Sequence, residues 1–177
     1  MSPPQCDPAP AGAGLAFRVA HRGDLAAIVQ MLADDPLGAQ RESFSDPLPQ
    51  SYHAAFEAID RDPNNELLVA VLGDAVIGVL QMTFIPSLTH RGAWRGLIEG
   101  VRVCSDARSG GAGGAMVRWA IGRAQQRGCA MVQLTTDTSR TDALRFYERL
   151  GFVASHHGMK LRLECLGTAG DAAGIRR

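Results

Sequence analysis

The sequence predicts a mixed α/β domain whose sheet is antiparallel in its first half. Three observations carry this. Two apolar runs, LLVAVL at 67–72 and AVIGVLQMTFI at 75–85, flank Gly73–Asp74, the pattern of a β-hairpin. Periodic segments follow in the order β α α β β β α β α β β, which is not the regular alternation of a doubly wound parallel fold. A glycine-rich run, SDARSGGAGG at 105–114, separates a strand pattern from a helix pattern.

Each element follows from its residues. Leu15, Phe17 and Val19 alternate with Ala16, Arg18 and Ala20, a strand over 15–20. Asp24 is placed to cap a helix in which Leu25, Ile28, Val29 and Leu32 recur at helical spacing, and Asp34–Pro36 ends it. Residues 37–48 show little periodicity and read as a loop. Tyr52, Ala55, Phe56 and Ile59 give a second helix over 49–61, closed by the turn cluster Asp62–Asn65. After the hairpin and a polar loop at 86–95, residues 96–104 form a strand carrying Leu97, Ile98, Val101 and Val103. A helix over 115–127 places Val117, Ala120, Ile121 and Ala124 on one stripe, and Gly128 follows it as a helix C-terminus prefers. A strand at 130–135 leads to a helix with Ala143, Phe146, Tyr147 and Leu150 on one face, stopped by Gly151. Phe152–Ser155 and Met159–Leu163 read as two short closing strands around His156–His157–Gly158.

Composition narrows the function. The chain has 177 residues, 46% of them hydrophobic, with 18 Lys+Arg against 18 Asp+Glu, so it is neither disordered nor basic. A net charge of zero argues against a nucleic-acid coat, yet leaves room for a local cationic pocket. No apolar run approaches the ~18 residues of a membrane span, and no secretory signal is visible. Cys6, Cys104, Cys129 and Cys165 form no CxxC and no zinc spacing, so reduced thiols in a cytoplasmic protein without a metal are expected. Residues 1–14 and 164–177 read as tails, leaving one domain over 15–163.

Gly110, Gly111, Gly113 and Gly114 fall at the start of a helix, where unpaired amides and the helix dipole favour an anion. Arg108 and Arg118 flank the turn. A phosphate or pyrophosphate is the natural guest, the alternative being a connection that merely turns tightly. A P-loop would need a Lys and a Ser/Thr after the glycines, and the dinucleotide fingerprint a different glycine spacing; both are absent.

The run Arg108-Ser109-Gly110-Gly111-Ala112-Gly113 resembles the [RQ]-x-x-G-x-[GA] signature of the GNAT superfamily of acetyl-CoA-dependent N-acetyltransferases. TDALRFYERLGF at 141–152 resembles the second motif of that family, and the likeness covers 65–163 well and 15–60 weakly. The resemblance implies a GNAT-like fold: a mostly antiparallel mixed sheet of about seven strands with about four helices on both faces. It implies acetyl transfer from acetyl-CoA to a primary amine, with a homodimer as a common assembly. Val101, Arg102 and Val103 would lie along the pantetheine arm, with backbone groups of Val101 and Val103 pairing to it. Amides of Ser109, Gly110, Gly111, Ala112, Gly113 and Gly114 would take the pyrophosphate, with Arg108 alongside. Ser109 stands where the family commonly has Gly. Arg140 stands where it commonly has Asn, and either approaches a cofactor phosphate or is a solvated surface group. Gly100 is a candidate bulge that parts two strands for the cofactor.

The chemistry needs a proton removed from the amine and one returned to the leaving thiolate. The resemblance gives Tyr147 as general acid; the alternative is a core tyrosine. Glu99 is the candidate general base, directly or through water, or else a rim carboxylate that only binds a cationic acceptor. By parity Glu99 shares a face with Val101 and Val103 unless Gly100 bulges. An amide near Val101 would meet the developing oxyanion. His90, Arg91, His156 and His157 are weaker candidates for the acceptor side, and Trp119 reads as core. A non-catalytic acyl-CoA-binding module is the competing reading of the whole.

Overall fold

The computed structural model describes residues 14–34, 38–39 and 41–161. The expected tails lie outside these residues except Gly14, as do 162–163 of the last expected strand. The sheet has five strands in the order β1-β2-β3-β4-β5. They are β1 Leu15–Val19, β2 Asn65–Leu72, β3 Ala75–Ile85, β4 Trp94–Val103 and β5 Cys129–Leu134. The first four pair antiparallel, and β5 joins β4 in parallel after a helical crossover.

Helices cover both faces, as the mixed pattern requires. On one side α1 (Leu25–Ala33) and α2 (Gln50–Arg61) bury Ile28, Val29 and Phe56 against Val69, Val71 and Val79. On the other, α4 (Ala112–Gln126) buries Met116, Val117, Ala120 and Ala124 against Leu68, Leu80, Met82, Phe84 and Ile98. α5 (Thr141–Glu148) joins this second layer through Phe146 and Tyr147, and Leu150 follows just after it. A one-turn α3 (Thr89–Gly92) lies in the β3–β4 connection. Trp119 packs in this layer with its ring 6.0 Å from that of Phe17, the core role expected of it.

Several expectations are corrected. Among the described residues there are five strands rather than seven and five helices rather than four. Residues 152–161 form no strand: Phe152 alone gains burial, while Val153, Met159 and Leu161 stay more than four-fifths exposed. A four-residue alternation lowers free energy only if a neighbour takes up its backbone groups, and this segment makes no ladder with β5. Asp24 caps differently from the expectation. Its carboxylate reaches back to the His21 N–H at 2.8 Å and takes Arg18 in two bonds of 2.6 and 2.9 Å. Burial pushes that carboxyl up, but the Arg18 and His21 hydrogen bonds and the Arg18 charge outweigh it and hold it below the usual range. α4 starts three residues earlier than expected, so Gly113 and Gly114 belong to its first turn. Cys129 is a free thiol, whereas Cys104 is disulfide-bonded, against the expectation of four reduced thiols. Among the described residues no helix is long and apolar enough to cross a membrane.

Candidate active site

The site is organised by one extra residue in β4. The β3–β4 register runs Gln81↔Glu99 and then Val79↔Arg102, so three steps on β4 face two on β3. Gly100, at φ 62°, supplies the left-handed backbone of this bulge. An added residue inverts the alternation of side chains beyond it. Ile98 faces α4, so Glu99 faces the α1–α2 side beside Gln81; after the bulge, Val101 and Val103 return to the α4 side. Glu99 and Val101 therefore lie on opposite faces of one strand.

β4 also outruns β5 here, which ends at Leu134. Their pairing ends at Ile98↔Leu134, whereas β4 runs on to Val103. The carbonyls of Val101 and Val103 have no strand partner on this edge. They accept instead from Arg102 Nη1 at 2.8 Å and from Arg108 Nε at 3.1 Å. Two backbone acceptors spaced by one residue thus line an open gap, the array a chain of amides can pair with.

Beyond the gap, Ser105–Gly110 form a 3-10 turn that contains Arg108 and Ser109 and delivers the chain to α4. Gly111, at φ 74°, is the N-cap residue and no side chain caps the helix. The amides of Ala112, Gly113 and Gly114 accordingly lack intrahelical partners. Gly110 has an ordinary φ, and a methyl group built on it meets nothing within 4 Å. Nothing among the described residues demands glycine there; a ligand seated on the turn would. Arg118, one turn on, folds its guanidinium back to within 3.4 Å of where a Gly114 side chain would begin. Uncapped amides, open space above Gly110 and nearby guanidiniums fit a pyrophosphate.

Tyr147 approaches the gap from α5. Its ring packs edge-on against Phe146 at 5.0 Å and Phe152 at 5.8 Å. Its hydroxyl makes no hydrogen bond among the described residues, yet is not sealed away like the Nε atoms of Arg95 and Arg102. Burial pushes the phenol above its ordinary range, against the opposing charges of Arg102 and Arg140. Arg140 occupies the N-cap position of α5, close enough for its charge to act on the Tyr147 phenol.

On the opposite face Glu99 is exposed rather than buried among the apolar residues of its strand. Gln81, its register partner, donates to Asn65 Oδ1 at 3.0 Å, and Thr83 donates to the same oxygen at 2.7 Å. Sequence reading did not single out this polar row, whose signal was the alternation of Gln81 and Thr83 with apolar residues in β3. His90 and Arg91 both adopt left-handed backbone in α3. His156 and His157 are exposed, with His156 Nδ1 2.8 Å from Ser155 Oγ, and neither joins the Tyr147 cluster.

Residues 26–152 match the Acetyltransferase (GNAT) family. The chain belongs to that family. It is therefore a GNAT-type acyltransferase, and GNAT enzymes draw their acyl group from acetyl-CoA. The chain is 32% identical over 107 residues to the aminoalkylphosphonate N-acetyltransferase of Salmonella typhimurium, spanning 60% of this chain and 69% of that one. The crystal structure of a transcriptional regulator from Bacillus halodurans is 55% identical, with a TM-score of 0.83 over 85% of this chain and all of that one. An acetyltransferase of Trypanosoma brucei superposes with a TM-score of 0.69 at 26% identity, covering 85% of this chain and 100% of the other.

Proposed function

We propose that residues 15–163 act as a single domain that moves the acetyl group of acetyl-CoA to a primary amine, by direct attack of the amine. The acceptor is a small molecule or a protein amino group, and the aminoalkylphosphonate enzyme favours the small molecule. The observation that carries this reading is the bulged β4 that outruns β5, with carbonyls that lack a strand partner toward one side and a carboxylate on the other face.

When bound, acetyl-CoA supplies an activated carbonyl and a thiolate leaving group. The amides of residues 109–114 would hold its phosphates, with Arg108 and Arg118 adding charge and Arg140 near the mouth of the gap. Arg102 and Arg108 would give up the carbonyls of Val101 and Val103 to the pantetheine amides. Glu99 would hold the ammonium and take its proton, directly or through water, which its exposure permits. The Val101 amide would face the developing negative oxygen. Tyr147 Oη would hold a proton for the departing sulfur, and burial that raises the phenol keeps that proton in place near neutrality.

Calorimetry with acetyl-CoA, followed by an amine panel read through free CoA, tests the proposal. Binding below millimolar and turnover of at least one amine are expected; no binding at millimolar ligand overturns it. Binding without turnover of any amine would leave the acyl-CoA-binding module as the reading. A cytoplasmic location and a homodimer belong to the same proposal and are checked by cell fractionation and light scattering.

A further inference from the structure

Arg95 is unusual among the arginines of this chain. It starts the β4 row Arg95, Leu97, Glu99 on the acceptor face, since the intervening Gly96 and Ile98 face α4. Its neighbours by register are Ile85 on β3 and Met131 on β5, which offer no charge. Its Nε is buried without a hydrogen-bond partner, and the guanidinium has no ion pair among the described residues. Withdrawing a guanidinium N–H from water without an acceptor is unfavourable. Arg102 also buries its Nε, but its Nη1 donates to the Val101 carbonyl, while Arg18 has Asp24 and Arg123 has Glu66.

Arg95 also forms one wall of a shallow pocket with Ser87, Thr89, His90, Trp94 and Met131. No carboxylate lines it. Ser87 and Thr89 present hydroxyls 2.7 Å from each other, and His90 is held at φ 51°, a backbone region that costs a non-glycine residue free energy. A guanidinium, two hydroxyls and an imidazole make a set of donors with no carboxylate among the described lining residues to receive them.

We infer that Arg95 anchors an anionic group of the acceptor, so that the preferred substrate is a primary amine carrying a phosphonate or carboxylate. This rests on the amine reading of the site above. Glu99 receives the ammonium end, and Arg95, on the same face, receives the anionic end. Four residues of strand separate their Cα atoms by about 13 Å, and an extended arginine side chain spans about half of that. The remaining gap suits a short zwitterion lying over Leu97. Arg95 is a specificity-determining residue: it acts on acceptor binding and leaves the transfer step alone.

The test compares an ω-amino acid, its phosphonate analogue and an alkylamine of equal length. Arg95→Gln is expected to raise KM for both anionic amines about 10- to 100-fold, with kcat nearly unchanged and the alkylamine unaffected. Arg95→Lys should recover part of the loss, and thermal melting checks that both variants fold. Equal effects on charged and neutral amines, or no effect, overturn the inference. Phosphonate against carboxylate is settled by which analogue has the larger ratio. Should no amine turn over, the reading of function fails, but binding of methylphosphonate to the CoA-saturated protein still decides Arg95. Binding lost in Arg95→Gln supports the anchor; equal binding in both proteins, or none in the wild type, overturns it.

Discussion

Replacing Tyr147 by Phe removes one oxygen and separates catalysis from packing. The ring contacts to Phe146 and Phe152, at 5.0 and 5.8 Å, survive the change. The hydroxyl makes no hydrogen bond among the described residues, so its loss strands no buried partner, and the stability change should stay within about 0.5 kcal/mol. A positioned proton donor contributes about 10²- to 10⁴-fold, so kcat should fall at least ~100-fold, or about 2.7 kcal/mol of barrier. Affinity for acetyl-CoA should hold within about threefold, since one uncharged hydroxyl contributes little to binding that large ligand. The assay is release of free CoA at saturating amine, beside calorimetric titration of acetyl-CoA. Tyr147→Ala serves as contrast, for it opens the aromatic cluster and should cost about 3 kcal/mol of stability. The pH dependence has a definite sign. The proton needed for catalysis is held up to a pH above the ordinary phenol value near 10, so this group causes no loss of rate below that. Stability follows the same sense: its contribution is present below the ordinary phenol value and disappears as pH rises through the raised folded one. Parallel losses of kcat and cofactor affinity in Tyr147→Phe, or no loss of kcat, would refute the assignment.

Four further substitutions have expected outcomes. Gly110→Val should weaken acetyl-CoA binding at least tenfold with melting unchanged, because its side chain enters open space that the proposal gives to the cofactor phosphates; Gly111→Val should lower stability by at least ~1 kcal/mol, because φ 74° excludes a β-branched residue. Gly100→Val, at φ 62°, should likewise cost at least ~1 kcal/mol and depress turnover by disturbing the bulge, seen by melting and by free-CoA release. Asp24→Asn should remove about 2 kcal/mol at neutral pH, measured by urea unfolding. Since the Asp24 carboxyl is held low, its contribution is present above the ordinary carboxylate value near 4 and is lost as pH falls through the lower folded value, so wild type and variant should converge in acid.

The parts of the fold legible in sequence are those fixed by local chemistry. The hairpin at Gly73–Asp74, the α4 stripe of Val117, Ala120 and Ala124, and the Gly128 stop all depend on neighbours within a turn or two. The terminal strands depended on a partner edge, and alternation in Val153 or Met159 carries no information about whether one is present. Asp24 misled for a related reason: its type marked a helix start correctly, but Arg18 and His21 drew the carboxylate backward, a contact set by β1. In the site, the glycine turn was readable because its conformation is encoded by residue type. Glu99 was readable only up to its parity, which hung on a bulge that Gly100 permits but does not compel. Arg95 was unreadable, because a cation in a strand looks the same whether or not a carboxylate waits across the sheet.

That dependence on parity is why the proposed chemistry needs the bulge as much as the fold does. In a regular strand residues 99, 101 and 103 share a face, so a carboxylate for the amine would stand among the side chains on the α4 side, next to Val101 and Val103. One inserted residue sends Glu99 to the α1–α2 side and leaves the carbonyls of Val101 and Val103 on an open edge. In the proposed reaction an amine held at Glu99 would approach from one face, while Tyr147 on α5 would hold a proton at the other. In the proposed transfer the amine adds to the thioester carbon and the thiolate leaves as the tetrahedral intermediate collapses, so base and acid serve different atoms, and the left-handed Gly100 between Glu99 and Val101 sets Glu99 on the face away from α5. A chain that kept Glu99 and Tyr147 but straightened β4 would retain both groups and lose their opposition, which is why turnover should follow the Gly100 backbone as closely as it follows the side chains.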